Sequence, residues 1–471
     1  MIEGPTLIMG GVMLMAVLAY PLRRWGILST LTAVAIGIAL TTISLYWPLD
    51  QVKLIGDRAI LLNQPLAGLG YTLAITEAER PILATLGLIA LATFVGTWIQ
   101  RTTPISAPIG LIILTLWVGS VIVQPLTGAL LALLAVSCLS IFIIQGDGST
   151  STRAAFRQMW WPAIAFSLGM LAAWHAQEAT YQAGNMTHLQ SAARLMGLAL
   201  WLLLAPVPLH APSVSLLTRT SPVIGAFLTA GMQIATLHLI WAVSSMWPWL
   251  AEHIEVSRIL ALSGLVTLLW GALGALSAER VQRLWAYAVL HDWGVFLLGF
   301  SLGAPLEWRI AAALFVGRLI SLFLSAYGLA SLRARGIQDS WNSVQGQARR
   351  SPWTALGIMV GGLGLAGFPL TASFASRWAL IQILLLTEPM WGLLVVIGQL
   401  GVALGYLRLL QVFWTPPAPG QRLGPRETTV TAILLIFGVG LSGMLGLIPQ
   451  AINGIVYTVI GIIIQPLRQV P

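Results

Sequence analysis

Asp292 is the one acid placed well inside an apolar run, in Trp285-Ala286-Tyr287-Ala288-Val289-Leu290-His291-Asp292-Trp293-Gly294. An ionisable group inside a membrane is costly to keep, so each one is a functional-site candidate. A carboxylate there suits proton exchange; the plainer reading is a buried acid neutralised by an arginine. His291 titrates nearest neutral pH. At about 100° per residue the two side chains diverge and need not share a cavity. Arg318 and Arg377 are the candidate partners of Asp292. A guanidinium keeps its proton, so it fixes a carboxylate's charge or repels a cation but cannot relay protons by releasing one. Lys53 is the only lysine among 24 basic residues. Arg408 lies nearer a span end and is assigned a structural role. Further toward the N-terminus the polar candidates are His175, His210, Gln233 and His238. Packing or hydrogen bonding is the plainer reading for each histidine, a relay the functional one.

Helix breakers stand beside two of these groups. Ala205-Pro206-Val207-Pro208-Leu209-His210 and Ala366-Gly367-Phe368-Pro369-Leu370-Thr371 each interrupt an apolar run. A proline at membrane depth frees a carbonyl that protein or water must satisfy. Paired breaks in corresponding halves point to an ion or substrate path, and a single one to a packing kink. Their separation by five spans suggests two five-helix units.

The elements that carry these residues are membrane helices. Of 471 residues, 57% are hydrophobic and 8% charged. That excludes an ordinary soluble enzyme, a disordered chain and a nucleic-acid binder, because the charge is scattered in short loops. Cys138 is the only cysteine, so no disulfide framework or cysteine metal site exists. Neither HExxH, a phosphate-binding loop nor a dinucleotide fingerprint is present. Fourteen apolar runs are long enough to cross a bilayer: about 5–21, 26–48, 82–100, 105–124, 126–145, 159–177, 191–212, 221–246, 257–277, 284–304, 308–331, 353–386, 390–414 and 428–449. The first lacks the basic start of a signal peptide. The longest connection is 49–81, and the tail from about 452 to 466 is apolar enough for a short extra helix. Connections after odd-numbered runs hold fourteen basic residues and those after even-numbered runs six, which places both termini outside the cytoplasm. Tryptophans near run ends (Trp25, Trp47, Trp98, Trp160, Trp161, Trp247, Trp249) fit an interfacial belt.

Five segments in order resemble a known family. Arg283-Leu284-Trp285-Ala286-Tyr287 with Asp292-Trp293-Gly294 resembles the segment before and within the tenth span of the antiporter-like subunits of respiratory complex I, which are similar to subunits of multisubunit sodium/proton antiporters and membrane-bound hydrogenases. Gly364-Leu365-Ala366-Gly367-Phe368-Pro369-Leu370-Thr371-Ala372 followed by Arg377 is similar to the family's "L-A-G-I-P-P-T-A-G-F-x-x-K". Val207-Pro208-Leu209-His210, Ala226 to Gln233, and Gly405-Tyr406-Leu407-Arg408 are similar to its "V-P-F-H", "A-F-L-A-T-A-S-K" and "Y-Y-Y-L-R". The resemblance spans about 126 to 414, is closest to the N-type subunit, and implies the family's fourteen-helix core.

The departures are as informative. The resemblance implies a mid-membrane glutamate and lysine chain, yet those positions hold Ser137, Leu203, Gln233, Asp292, Arg318 and Arg377. A chain whose one lysine lies in a loop has no lysine relay.

The expected fold is an all-α polytopic membrane protein of about fourteen transmembrane helices, with helices seven and twelve broken and two inverted five-helix repeats. The expected divisions are 1–125 (helices one to four, the fourth opening the first repeat), 105–246 (first repeat), 257–414 (second repeat) and 415–471 (last helix and tail). The expected function is a proton-translocating subunit of a complex-I-like, redox-driven assembly with a channel depleted in lysine and glutamate. Asp292 is its exchanging acid, Arg318 and Arg377 its modulators, and His291, His210, Gln233 and His238 further path candidates. Helix breaks fall at Pro206, Pro208, Gly367 and Pro369. The alternative is a non-conducting scaffold for neighbouring subunits; a free-standing transporter has less support, because the broken spans show no polar pocket. No cofactor or metal is expected on this chain, with quinone acting elsewhere in the complex. Partners are other membrane subunits and lipid, not nucleic acid, in a bacterial inner membrane.

Overall fold

The computed structural model describes residues 2–55, 57–100, 106–146, 152–181, 186–250, 255–302, 306–417, 419 and 423–450. The apolar tail 452–466 and the loop residues Arg101 and Arg422 lie outside the described residues.

Strand β1 (Ile2–Glu3) leads into α1 (Gly4–Leu22), and a tight turn returns the chain as α2 (Gly26–Tyr46). Strands β2 (Lys53–Ile55), β3 (Arg58–Leu61), β4 (Leu66–Gly68) and β5 (Tyr71–Leu73) precede α3 (Arg80–Gln100) and α4 (Ser106–Ile122). After β6 (Val123–Gln124) come α5 (Leu126–Gly146), α6 (Thr152–Tyr181), α7 (Met186–Leu204), α8 (Ala211–Arg219) and α9 (Pro222–Met246). The remaining helices are α10 (Val256–Leu276), α11 (Val281–Phe300), α12 (Leu306–Ala334), α13 (Trp341–Val344), α14 (Pro352–Ala366), α15 (Phe374–Thr387), α16 (Pro389–Trp414) and α17 (Thr429–Leu447). Every apolar run in the sequence is helical, and runs seven and twelve are each a pair, α7 with α8 and α14 with α15.

Nine of the described helices (α1, α2, α3, α5, α9, α10, α12, α16 and α17) are long and apolar enough to cross a bilayer. The molecule is a multi-pass membrane protein. Helix α11 is not one of the nine, since it carries Arg283, His291 and Asp292. His291 and Asp292 face protein, not lipid: from Leu284 to Gly299 every residue but Tyr287 is buried, while Arg283 lies exposed in the first turn. In α9, 94% of the apolar window is buried, against 22% in α2 and in α17, so α9 is central and the latter two lie at the margin.

The 49–81 connection departs from an all-α chain. There β1 pairs parallel with β3, β2 pairs antiparallel with β3, and β4, β5 and β6 form a second three-stranded sheet. Leu69 and Gly70, both at positive φ, make the two-residue turn between β4 and β5. The signal was faint because each strand has four residues or fewer.

Among the bundle helices α4 packs on α5, α5 on α6, α6 on α7 and α8, and α9 on α4, α5, α7 and α8. Likewise α10 packs on α11, α11 on α12, α12 on α14 and α15, and α16 on α10, α11, α14 and α15. The two groups meet where α8 packs on α11 and α9 on α12.

Helices α10 and α11 approach through small residues, which let backbones come close where lipid supplies no hydrophobic driving force. A Cβ on Gly264 would sit 2.8 Å from the Gly294 carbonyl oxygen, and one on Gly294 would collide with the Leu268 backbone nitrogen. This contact sets the height of Asp292 in the bundle. Gly294→Ala is therefore expected to force the pair apart and destabilise the protein by about 1–3 kcal/mol. The half-life of monodisperse protein after heating in detergent, read by gel filtration, checks this; an unchanged half-life refutes it.

Candidate functional site: a buried carboxylate between two guanidiniums

Helix α7 stops because Pro206 has no N–H to continue the ladder. Ala205 takes φ 48° immediately after it, and its N–H closes the last turn on the Trp201 and Leu202 carbonyls, both at 3.2 Å. Helix α14 stops at Gly367, whose φ of 73° places it in the left-handed region that glycine tolerates. The Phe368 N–H reaches back to the Leu363 carbonyl at 2.9 Å, as a Schellman cap requires. Pro369 then bars resumption until α15 begins at Phe374. Pro206 and Pro208 lie between α7 and α8, and Gly367 and Pro369 between α14 and α15.

Both interruptions converge on one charged cluster. Asp292 is 4% exposed, and Arg318 and Arg377 are 1% exposed. Each guanidinium engages a different carboxylate oxygen: Arg318 Nη1 binds Oδ2, and Arg377 Nη2 binds Oδ1. Arg318 also donates to the Gln233 side-chain oxygen at 2.9 Å and to the Val289 carbonyl at 3.3 Å. Its guanidinium lies 5.2 Å from the Trp293 ring centroid, within cation–π range. The Trp293 indole N–H in turn donates to the Leu204 carbonyl at 2.9 Å, one of the carbonyls freed at the end of α7. Arg377 runs along Gly367 so closely that a Cβ there would overlap its Cδ.

The electrostatics follow from this placement. One carboxylate against two guanidiniums leaves a positive excess in a buried interior. Glu79 is the only other buried carboxylate among the described residues, and it accepts from Thr76 in the loop before α3. The ends of α7 and α14 offer partial compensation, because a helix C-terminus carries roughly −0.5 of a charge. Arg377 sits in the first turn of α15, at the opposite, positive pole, so its own helix disfavours it there. Asp292 offsets that as well.

The other sequence candidates fall into three places. His291 Nδ1 lies 2.9 Å from the Leu268 carbonyl oxygen, and its ring lies against Gly398. His210 accepts from the Trp270 indole at 3.1 Å, at the mouth of the first break. His238 is buried beside Trp241. Among the described residues no hydrogen bond joins these histidines to Asp292. Ser137 bonds back to the Leu133 carbonyl at 3.0 Å, and Leu203 is buried. Arg408 donates to the Leu276 carbonyl at 2.6 Å and covers Trp341, in keeping with a structural role.

Sequence reading missed Trp293 as a functional residue and missed the face of α10 that lines the first break. Ser263, Thr267 and Trp270, spaced four and three residues apart, bond respectively to the Trp201 indole, the Val207 N–H and His210. Helical spacing of three polar-capable side chains in an apolar run was the available signal.

The model of the family described as "NADH:quinone oxidoreductase/Mrp antiporter, TM" matches residues 133–404. The chain belongs to that family. It is 30% identical over 191 residues to NADH-quinone oxidoreductase subunit N of Acidithiobacillus ferrooxidans, covering 39% of each chain. With subunit N of Methylococcus capsulatus it shares 31% over 212 residues, 41% of this chain and 42% of that one. The match therefore covers about two fifths of these curated relatives. In fold it is similar to a chain of the archaeal membrane-bound sulfane sulfur reductase, with TM-score 0.79, 17% identity and coverage of 98% and 97%. It is also similar to a chain of the Mrp complex from Dietzia sp., with TM-score 0.76, 15% identity and 98% coverage of both. For a chain of respiratory complex I from Thermus thermophilus the TM-score is 0.69, at 16% identity and coverage of 95% and 97%.

Removing one member of a buried ion cluster strands the others. Asp292→Asn is expected to cost roughly 3–5 kcal/mol, whereas the apolar triple Asp292→Leu, Arg318→Met, Arg377→Met recovers most of that loss. Denaturant midpoints of the purified variants check it, and a triple variant no more stable than the single one refutes it. Trp293→Phe keeps the ring but removes the bond to Leu204, an expected loss of about 0.5–1.5 kcal/mol. Double-mutant cycles with Arg318→Met separate that loss from the cation–π contact.

Proposed function

We propose that this chain is an antiporter-like membrane subunit of a multisubunit, redox-driven ion-translocating complex of the complex I type. It has fourteen crossings, with 105–246 and 257–414 as two inverted five-helix repeats and 1–125 and 415–471 as the flanking helices. Support for the repeats comes from the packing pairs: those among α4 to α9 recur among α10 to α16, with α7–α8 and α14–α15 in equivalent places. Both termini lie outside the cytoplasm of a bacterial inner membrane, as the arginine distribution and the bacterial relatives suggest. Neighbouring membrane subunits and lipid are its partners. It holds no cofactor of its own, and quinone reacts elsewhere in the complex.

The observation that carries this reading is the convergence of both helix breaks on the Arg318–Asp292–Arg377 cluster. As it stands the cluster is a closed gate. Both carboxylate oxygens are engaged, and the positive excess repels protons and other cations entering the second repeat. Conduction requires Asp292 to leave one guanidinium, which exposes an oxygen to a proton. The charge state of the cluster then sets when the path opens, a role that needs no lysine.

A second reading has its own support. Ser137 and Leu203 are buried in the packed core, and Gln233 serves Arg318 rather than a path. A subunit of that kind braces its neighbours without conducting.

One experiment separates the two. In vesicles holding the intact complex, Asp292→Asn is expected to abolish the proton uptake contributed by this subunit while electron transfer continues. Full proton uptake at full electron transfer would eliminate the gate and leave the brace.

A further inference from the structure

A second pair of titratable groups lies far from the triad, where α6 ends and α7 begins. His175 Nδ1 and His188 Nδ1 are 2.9 Å apart, with ring centroids at 5.1 Å. Trp174 flanks both rings, at 4.7 and 6.1 Å between centroids. Both imidazoles are half-buried, so one side stays open to the surroundings. Helices α6 and α7 pack along each other, which fixes the spacing of the two rings independently of the connection between them.

Two ring nitrogens at this distance share one proton: one Nδ1 donates it and the other accepts. The same geometry is that of a chelate. In a square-planar site with metal–nitrogen bonds of about 2.0 Å, adjacent nitrogens stand about 2.8 Å apart; a tetrahedral site needs about 3.3 Å. The observed separation fits the first. Tetragonal nitrogen sites select copper(II) or nickel(II), and copper(II) stands highest in the affinity order.

We propose that His175 and His188 form a two-imidazole binding site for a tetragonal divalent ion, copper(II) in the first place. The shared proton moves to Nε2 of its own ring, and each ring turns until the two Nδ1 lone pairs meet at the metal. Neutral imidazole to metal-bound neutral imidazole releases no proton. Water fills the remaining positions, since no group of three or more His, Cys, Asp or Glu side chains among the described residues can hold a metal. The bound ion pins the start of α7, the helix whose far end holds Trp293 through the Leu204 carbonyl.

The test uses copper(II) added to the purified full-length protein in detergent or nanodiscs, with pulsed electron paramagnetic resonance counting the coordinated imidazoles. One equivalent with two equatorial imidazoles is expected for the wild type, and a single imidazole with weaker binding for His175→Gln and for His188→Gln. Protection of both histidines from diethyl pyrocarbonate by copper(II), mapped by peptide mass spectrometry, tests the wild type without substitutions. Failure to bind a stoichiometric ion, a one-imidazole signal in the wild type, survival of the two-imidazole signal in both variants, or absence of protection would each overturn the site and leave a hydrogen-bonded histidine pair only.

Discussion

Two permanently charged guanidiniums sharing one carboxylate in a buried part of the bundle form the constraint on which the rest of this structure depends. Taking an ion out of water costs several kcal/mol even after relaxation, so Arg318 and Arg377 are tolerable only where an opposite charge and further acceptors meet them. Asp292 supplies the charge, Gln233 and Val289 supply acceptors, and Trp293 supplies a ring face. The helices that carry these groups and the arginines are also held by contacts outside the cluster: α11 by glycine contact with α10, α15 by the break at Gly367, and α9 by burial on nearly every side. The cluster and the scaffold therefore determine one another.

The broken helices are part of that electrostatic arrangement. An unbroken helix places its terminal carbonyls at the membrane surface, where they face water. Ending α7 at Leu204 and α14 at Ala366 brings two negative poles into the interior beside the excess positive charge. The proline and glycine chemistry of the breaks and the arginine chemistry of the cluster are thus two sides of one balance.

Much of this could be read from the residues themselves. Apolar runs located the helices, because in lipid the backbone must satisfy itself within each crossing. Pro206, Pro208, Gly367 and Pro369 announced the breaks through local backbone chemistry, and Asp292 was conspicuous as a lone acid. What escaped was long-range. Trp293 looked like another membrane tryptophan until its N–H met a carbonyl 89 positions away. The α10 face at Ser263, Thr267 and Trp270 shows polar groups at helical spacing, but only the fold shows that they meet the first break. The short strands between α2 and α3 lack the length that makes alternation visible.

The bond from Arg318 to Gln233 ties the choice of residue at the two positions together. Where the family resemblance implies an ammonium at position 233, this chain has an amide whose oxygen faces a guanidinium 85 positions on. An ammonium placed there alone would stand beside a like charge with no acceptor to offer, so the two positions are energetically coupled. A lysine at 233 therefore requires a compensating change at 318 before it can be buried there.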